Sequence, residues 1–255
     1  MLSFDWTADY QPKSFSRDEF VLPEAHRKIF EEYTQGKRTQ HLLLTGDCGT
    51  GKTTAGQLLG KKSQSDHFIR CGDYKSEKFW TENGSCWKQL FLQNLSTHLF
   101  TASERETRPI KRFALLDEVD EIKIKSMIRG VLDKAKEHQI ILCMTSNFPE
   151  QIDKAIHSRC LRIHFGSGDP VWDNYETDNP PGNRDDIESQ LIDLVVRISK
   201  KEAPQTLWDE LTVRYLRDKI IRKAKNIDIR EILTTVHAHV HNGKFEPLDN
   251  FLKSK

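Results

Sequence analysis

The sequence predicts an α/β protein: a parallel sheet of five strands with helices on its faces, followed by a small unit of three helices. Three observations predict this. Short apolar runs alternate with helical patterns through about residue 167. One strand–helix junction carries a glycine-rich turn ending in Gly-Lys-Thr. Beyond a stretch rich in Gly, Pro, Asp and Asn, strand patterning stops and only helical periodicity remains.

The strands are read from "HLLLTG" (41–46), "HFIRC" (67–71), "RFALLDE" (112–118), "QIILCMTSN" (139–147) and "LRIHF" (161–165). Between them "KTTAGQLLGKK", "CWKQLFLQNLSTHLF" and "KSMIRGVLDKAKEH" place apolar residues at helical spacing. Alternation of this kind specifies a parallel sheet joined by helical crossovers. "GSGDPVWDNYETDNPPGNRDD" reads as a loop. "IESQLIDLVVRISKK", "TLWDELTVRYLRDKIIRKAK" and "DIREILTTVHAHV" follow as three amphipathic helices. The expected plan is an α/β domain over 1–167, a linker over 168–183, a helical lid over 184–242 and a tail over 243–255.

Bulk properties narrow the classes. A chain of 255 residues holds one large domain or a main domain with a small satellite. Net charge is +1, so nucleic-acid binding would need a local patch rather than a basic whole-molecule field. The five cysteines are scattered without a CxxC pair, which argues against structural zinc and for a reducing compartment. No apolar run approaches the ~20 residues of a membrane span, and "MLSFDWTADY" lacks signal-peptide character. The expectation is an intracellular protein, cytoplasmic or in the nucleoid or nucleus, with no membrane partner.

"GDCGTGKT", Gly46 to Thr53, matches G-x-x-x-x-G-K-[ST] after a strand and at the start of a helix. Its glycines let backbone N–H groups turn inward around phosphate oxygens, and the helix adds its free N–H groups and dipole. Gly46, Cys48, Gly49, Thr50, Gly51, Lys52, Thr53 and Thr54 are therefore the candidate nucleotide-binding residues. Lys52 suits the β- and γ-phosphates, and the Thr53 hydroxyl suits Mg²⁺. "FALLDEVD" delivers Asp117 and Glu118 at a strand end: Asp117 for the Mg²⁺ shell, Glu118 as the base that polarises the attacking water. Two acids capping the next helix are the bland alternative. Asn147 ends another strand, where it either orients water or merely closes a turn before Phe148-Pro149. An N-K-x-D motif is missing, which disfavours a GTPase.

In combination, the order of P-loop, "DEVD", "TSN" and "SRC" before a helical lid resembles the AAA+ ATPases. Within them the chain is similar to clamp-loader subunits of replication factor C and of T-even phages, over nearly its whole length to about His241. "NFPEQIDKAIHSRC" keeps that group's spacing, and "DYQPKSF" resembles its opening segment, which implies that Tyr10 and Pro12 lie against adenine. The resemblance implies ATP and Mg²⁺ as cofactors, hydrolysis between subunits of a homo- or hetero-oligomer, and primer–template or double-stranded DNA as a partner, with a sliding clamp beyond it. Arg159 would be a finger for the γ-phosphate of a neighbouring subunit, which would explain an arginine without a local partner in the sequence, its nearest upstream acid being Asp153. Its removal should cost on the order of 10³-fold in turnover. Arg230 in "KNIDIREIL" would sense the nucleotide of its own chain, unless it pairs with Asp228 or Glu231.

The same resemblance places "EIKIKSMIRGVLDKAK" where DNA is held, and Lys125 and Arg129, four apart, could meet successive phosphates. A solvated helix face is the alternative, since Asp133 and Glu137 dilute the charge. The tail "KFEPLDNFLKSK" either docks Leu248, Phe251 and Leu252 on a clamp or, as such tails more often do, packs on its own domain. His237 and His241 share a face without a third ligand at metal spacing.

Departures from the family pattern are Gln11 where arginine is usual, Ala155 where proline is common, Lys125 where glutamine is usual, and a sequence that ends before the helical collar. The last would leave ring rigidity to a partner. Two other readings therefore stand beside the clamp-loader one: a collarless regulator of transposition, defence or helicase loading, and a nucleotide-gated scaffold with little hydrolysis.

Overall fold

A parallel strand covered on both faces needs apolar residues at successive positions, and Leu42, Leu43 and Leu44 provide them, all fully buried. The computed structural model describes residues 5–62, 67–73, 112–122, 125–137, 139–166, 184–222 and 227–246. Its main sheet contains β1 (His41–Gly46), β2 (His67–Arg70), β3 (Arg112–Asp117), β4 (Ile140–Ser146) and β5 (Cys160–Phe165). They run parallel in the order β2-β3-β4-β1-β5. The helices described around it are α2 (Glu24–Thr34), α3 (Lys52–Lys62), α4 (Lys125–Glu137) and α5 (Lys154–His157), and α1 (Trp6–Asp9) precedes them in the chain.

The two-residue pleat sorts the strands into two cores. Leu43, Ala114, Leu116, Ile140, Leu142 and Met144 face α4, which meets them with Ile128, Val131, Leu132 and Ala135. Those four positions are i, i+3, i+4 and i+7, one stripe of a helix. Leu42, Leu44, Phe113, Leu115, Ile141 and Cys143 face the other way, against Phe30 of α2 and Ala55, Leu58 and Leu59 of α3. Each fully buried leucine contributes about 1.5–3 kcal/mol of transfer free energy. Because all five strands point the same way, their C-terminal ends gather Gly46, Arg70, Asp117 and Ser146 on one edge.

The helical unit comprises α6 (Arg184–Glu202), α7 (Glu210–Tyr215) and α8 (Ile229–Ala238), closed by a hairpin of β6 (Val240–His241) and β7 (Lys244–Phe245). The single helix expected over 206–225 is shorter and changes character. It is α-helical to Tyr215 and then takes π form over Leu216–Ile221. The wider π turn lets Leu216, Ile220 and Ile221 all reach the interior, at spacings a regular helix would splay apart. Phe245, expected in the tail, is 4% exposed and packs in this core.

The N-terminal segment departs from the expected division as well. Trp6 and Val21 pack with Ile187, Leu191, Val195 and Val236 of the helical unit, not with the sheet. Trp6 stacks on His237, 5.0 Å between ring centroids. Nearby, buried Gln190 accepts a hydrogen bond from Leu22 N–H and one from Arg27 Nη2, tying α2 to α6. The helix expected over "CWKQLFLQNLSTHLF", the linker 168–183 and the tail beyond residue 246 lie outside the described residues. No helix among the described residues is long and apolar enough to cross a membrane.

Candidate nucleotide site and the outlying arginine

At the C-terminal edge of the sheet, the loop between β1 and α3 opens onto a cavity of about 570 Å³. Gly46 has φ 127°, and a Cβ there would lie 1.9 Å from the Phe165 carbonyl oxygen, so the turn tolerates only glycine. Cys48, Gly49, Gly51, Lys52, Thr53 and Thr54 line the cavity. Thr50 stands behind the loop, its hydroxyl donating to Asp47 O at 2.8 Å. Lys52 is 6% exposed, and its Nζ donates to Gly46 O (2.8 Å) and Asp47 O (2.6 Å). Burial pushes its pKa down, and the Cys48, Asp47, Asp117 and Asp120 charges oppose that. A buried ammonium held, among the described residues, by two backbone carbonyls is poised for an incoming anion.

The acidic pair is set by the two neighbouring strands. Asp117 Oδ1 accepts hydrogen bonds from the hydroxyls of Thr53 and Thr145, each at 2.7 Å. Thr145 Oγ1 in turn accepts from Glu118 N–H at 2.9 Å. A hydroxyl beside a carboxylate is the hard-oxygen donor set that Mg²⁺ takes together with phosphate oxygens and water. The residues therefore fit that ion, and Thr53 and Asp117 are the two that would hold it. Glu118 has left-handed backbone angles, φ 57° and ψ 54°, which cost a non-glycine residue about 1–3 kcal/mol. Its carboxylate lines the cavity but is engaged by Arg70, 3.1 Å from Nε to Oε2.

Other expected residues gather here too. Asn147 follows β4, between the strands that carry the P-loop and the acids, and lines the cavity; its N–H donates to Asp120. Tyr10, Gln11 and Pro12 form the opposite wall. The Tyr10 hydroxyl donates to Glu202, and burial raises its pKa, helped by that carboxylate. Helix α8 closes the top with Ile229, Arg230 and Leu233. Its N-cap Asp228 accepts from Glu231 N–H at 2.9 Å, and Ile229 N–H donates to Gly49 O at 3.1 Å. The exposed Arg230 guanidinium has no ion pair among the described residues, so neither Asp228 nor Glu231 claims it.

Two residues were not legible as functional in the sequence. Thr145 reads as one more position in a buried strand. Arg70 reads as a strand end, and the only signal was a charge following the apolar pair Phe68-Ile69. Their roles emerge once β2 and β4 flank β3.

Arg159 lies elsewhere. It precedes Cys160, which pairs with His41, whereas Gly46 pairs with Phe165 at the far end of the same two strands. Five steps of about 3.3 Å separate Cys160 from Phe165, and Arg159 is one residue further, so it lies at least roughly 17 Å from the P-loop, beyond the reach of its own side chain. It is absent from the cavity lining. The expectation of an arginine without a local anion is corrected: Nε donates to Asp133 Oδ1 at 3.0 Å and Nη1 to Ala155 O at 2.8 Å. Asp133 is 26 residues earlier, brought close by the packing of α4 on α5. Arg129 is likewise not a free phosphate contact, since its Nε lies 3.6 Å from Asp153 Oδ2. The side chain of Lys125 lies outside the described residues.

Comparison with known proteins agrees with this geometry. Residues 42–167 match the family model "ATPase family associated with various cellular activities (AAA)". A probable replication factor C subunit 5 of Caenorhabditis elegans is 27% identical over 168 residues, covering 63% of this chain and 44% of that protein. A replication factor C small subunit of Methanococcus maripaludis is 25% identical over 258 residues, covering 94% of this chain and 75% of the relative. Most of the curated relatives are thus matched over about half their length. Among solved structures, the RuvB Holliday junction branch migration motor of Thermotoga maritima superposes with a TM-score of 0.58 at 15% identity, covering 95% of this chain and 70% of that one. The FIGL-1 AAA domain in complex with ADP gives 0.54 at 15%, covering 93% and 74%. Likeness at that identity concerns the fold.

Proposed function

The chain belongs to the AAA family of ATPases, and from that premise we propose that it is a clamp-loader-like subunit which hydrolyses ATP at interfaces between chains assembled on DNA. The observation that carries this is the separation of its two halves of a hydrolytic site. The P-loop, Asp117, Glu118 and Asn147 share one edge of the sheet, while Arg159 sits at the other end of β5. A guanidinium placed there lies beyond the phosphates of its own chain, as one acting on a phosphate bound by another chain must.

In the proposed reaction Lys52 turns from the carbonyls of Gly46 and Asp47 to the β- and γ-phosphate oxygens. Thr53 and Asp117 would hold Mg²⁺, which would supply positive charge beside the transferring phosphoryl group. Glu118 leaves Arg70 and accepts a proton from the attacking water, with Asn147 orienting that water. The neighbour's Arg159 supplies a planar, permanently charged partner for the spread charge of the transition state. Arg230 couples the nucleotide to α8, so product release can shift the helical unit. The likeness to replication factor C subunits supports DNA and a sliding clamp as partners.

The test is to mix subunits. Lys52→Ala and Arg159→Ala chains, each inactive alone, should regain DNA-stimulated ATP turnover together, because mixed interfaces contain one intact half from each. If Arg159→Ala hydrolyses ATP at the wild-type rate, the reading is wrong.

A further inference from the structure

We propose that Asp133 is a positioning residue for Arg159: it orients the guanidinium toward the neighbouring chain before that chain's nucleotide arrives. The inference rests on the reading of Arg159 as a residue that acts in trans, and adds the device that aims it. A free arginine on a surface samples many rotamers, and ordering one costs about 2 kcal/mol of side-chain entropy. Here two of its N–H groups are already engaged, Nε by Asp133 Oδ1 at 3.0 Å and one on Nη1 by Ala155 O at 2.8 Å. Those two anchors hold the plane of the guanidinium from one side. The Nη2 pair and the second Nη1 proton remain as a fork, the geometry that suits phosphoryl oxygens.

The surroundings keep this pairing selective. Arg129 and Asp133 lie four apart on α4, on one face of the helix. The first reaches Asp153 at 3.6 Å and the second reaches Arg159, so two cations and two carboxylates are matched across the packed turn. Asp153 also caps α5, accepting from Ala155 N–H at 2.8 Å, which steadies the residue whose carbonyl receives Nη1. Asp133 itself is exposed, with 60% of its side chain accessible, and is not needed for packing. As an exposed pair in solvent it adds little to stability. Its effect is expected in the reaction, where the direction of the charge matters.

Asp133→Ala should fold normally, since alanine is the better helix former. Its ATP turnover at saturation should fall about tenfold with KM for ATP unchanged, while Asp133→Asn, which keeps an acceptor oxygen, should lose less than about threefold. Mixing Asp133→Ala chains with Lys52→Ala chains should restore turnover, because the defect lies in what a chain offers its neighbour. Slow Arg159→Ala beside fully active Asp133→Ala overturns the positioning role and leaves the trans reading standing. A slow Asp133→Ala that Lys52→Ala does not rescue overturns it too. A fully active Arg159→Ala removes both.

Discussion

Acidification should destabilise this protein through His26, and the size of the effect can be worked out from its environment. His26 is fully buried on α2, and neither ring nitrogen has a hydrogen-bond partner. Burial, with a smaller contribution from the nearby His164, holds its pKa down to about 4 from an ordinary 6.5. Between those values the unfolded chain binds a proton that the folded chain refuses, so stability falls as pH drops. The loss starts near pH 6.5 and is complete near pH 4; at about 1.4 kcal/mol for each pH unit it sums to roughly 3 kcal/mol. Buried His41 and His157 and half-buried His164 also have lowered pKa values and act in the same direction, so the His26 share must be read as a difference. The assay is urea unfolding of the wild type and of His26→Leu, of similar volume, at pH 7.5, 6.5, 5.5 and 4.5. The variant should gain relative to the wild type as the pH is lowered, by about 2.5 kcal/mol at pH 4.5. Parallel curves for the two proteins would refute the reasoning.

Other predictions concern the catalytic edge. Arg70→Ala should raise ATP turnover measured without DNA by roughly two- to fivefold, the range of an exposed ion pair, because Glu118 is then unrestrained; phosphate release at or below the wild-type rate would show that Arg70 does not hold the base back. Thr145→Val removes the hydroxyl that joins Asp117 to Glu118 N–H, a bond to a charged group worth about 1.5–3 kcal/mol, so kcat should fall about 10- to 100-fold. Thr145→Ser should restore it, and a valine variant with unaltered kcat would show that the link is dispensable.

What could be read in advance was local in the chain. The P-loop was legible because its requirements are contiguous: a strand, glycines at fixed offsets, then a lysine and a hydroxyl at the start of a helix. Asp117–Glu118 and Asn147 were legible as strand ends. The limits fell where a property depends on two distant segments. Arg159 looked unpaired because Asp133 is close in space and not in sequence. The π turn at Leu216–Ile221 could not be anticipated, since a pattern with adjacent apolar residues fits a regular helix about as well. Trp6 and Val21 looked like part of the sheet domain because a short N-terminal segment carries no periodicity long enough to say which core it joins.

By itself, then, the amino-acid order determined the five strands of the sheet, most of the described helices and the chemistry at each strand tip, because helical and pleated periods are written in neighbouring residues. Only the tertiary structure decided which tips stand side by side. The strand order puts β4 between β1 and β3 and β2 outside β3, so Thr145 bonds Asp117 and Arg70 meets Glu118. The same packing turns Arg159 away from its own phosphate loop. Strand order follows from how the helices cover two faces of one sheet, a sum over many distant contacts that no single stretch of sequence contains.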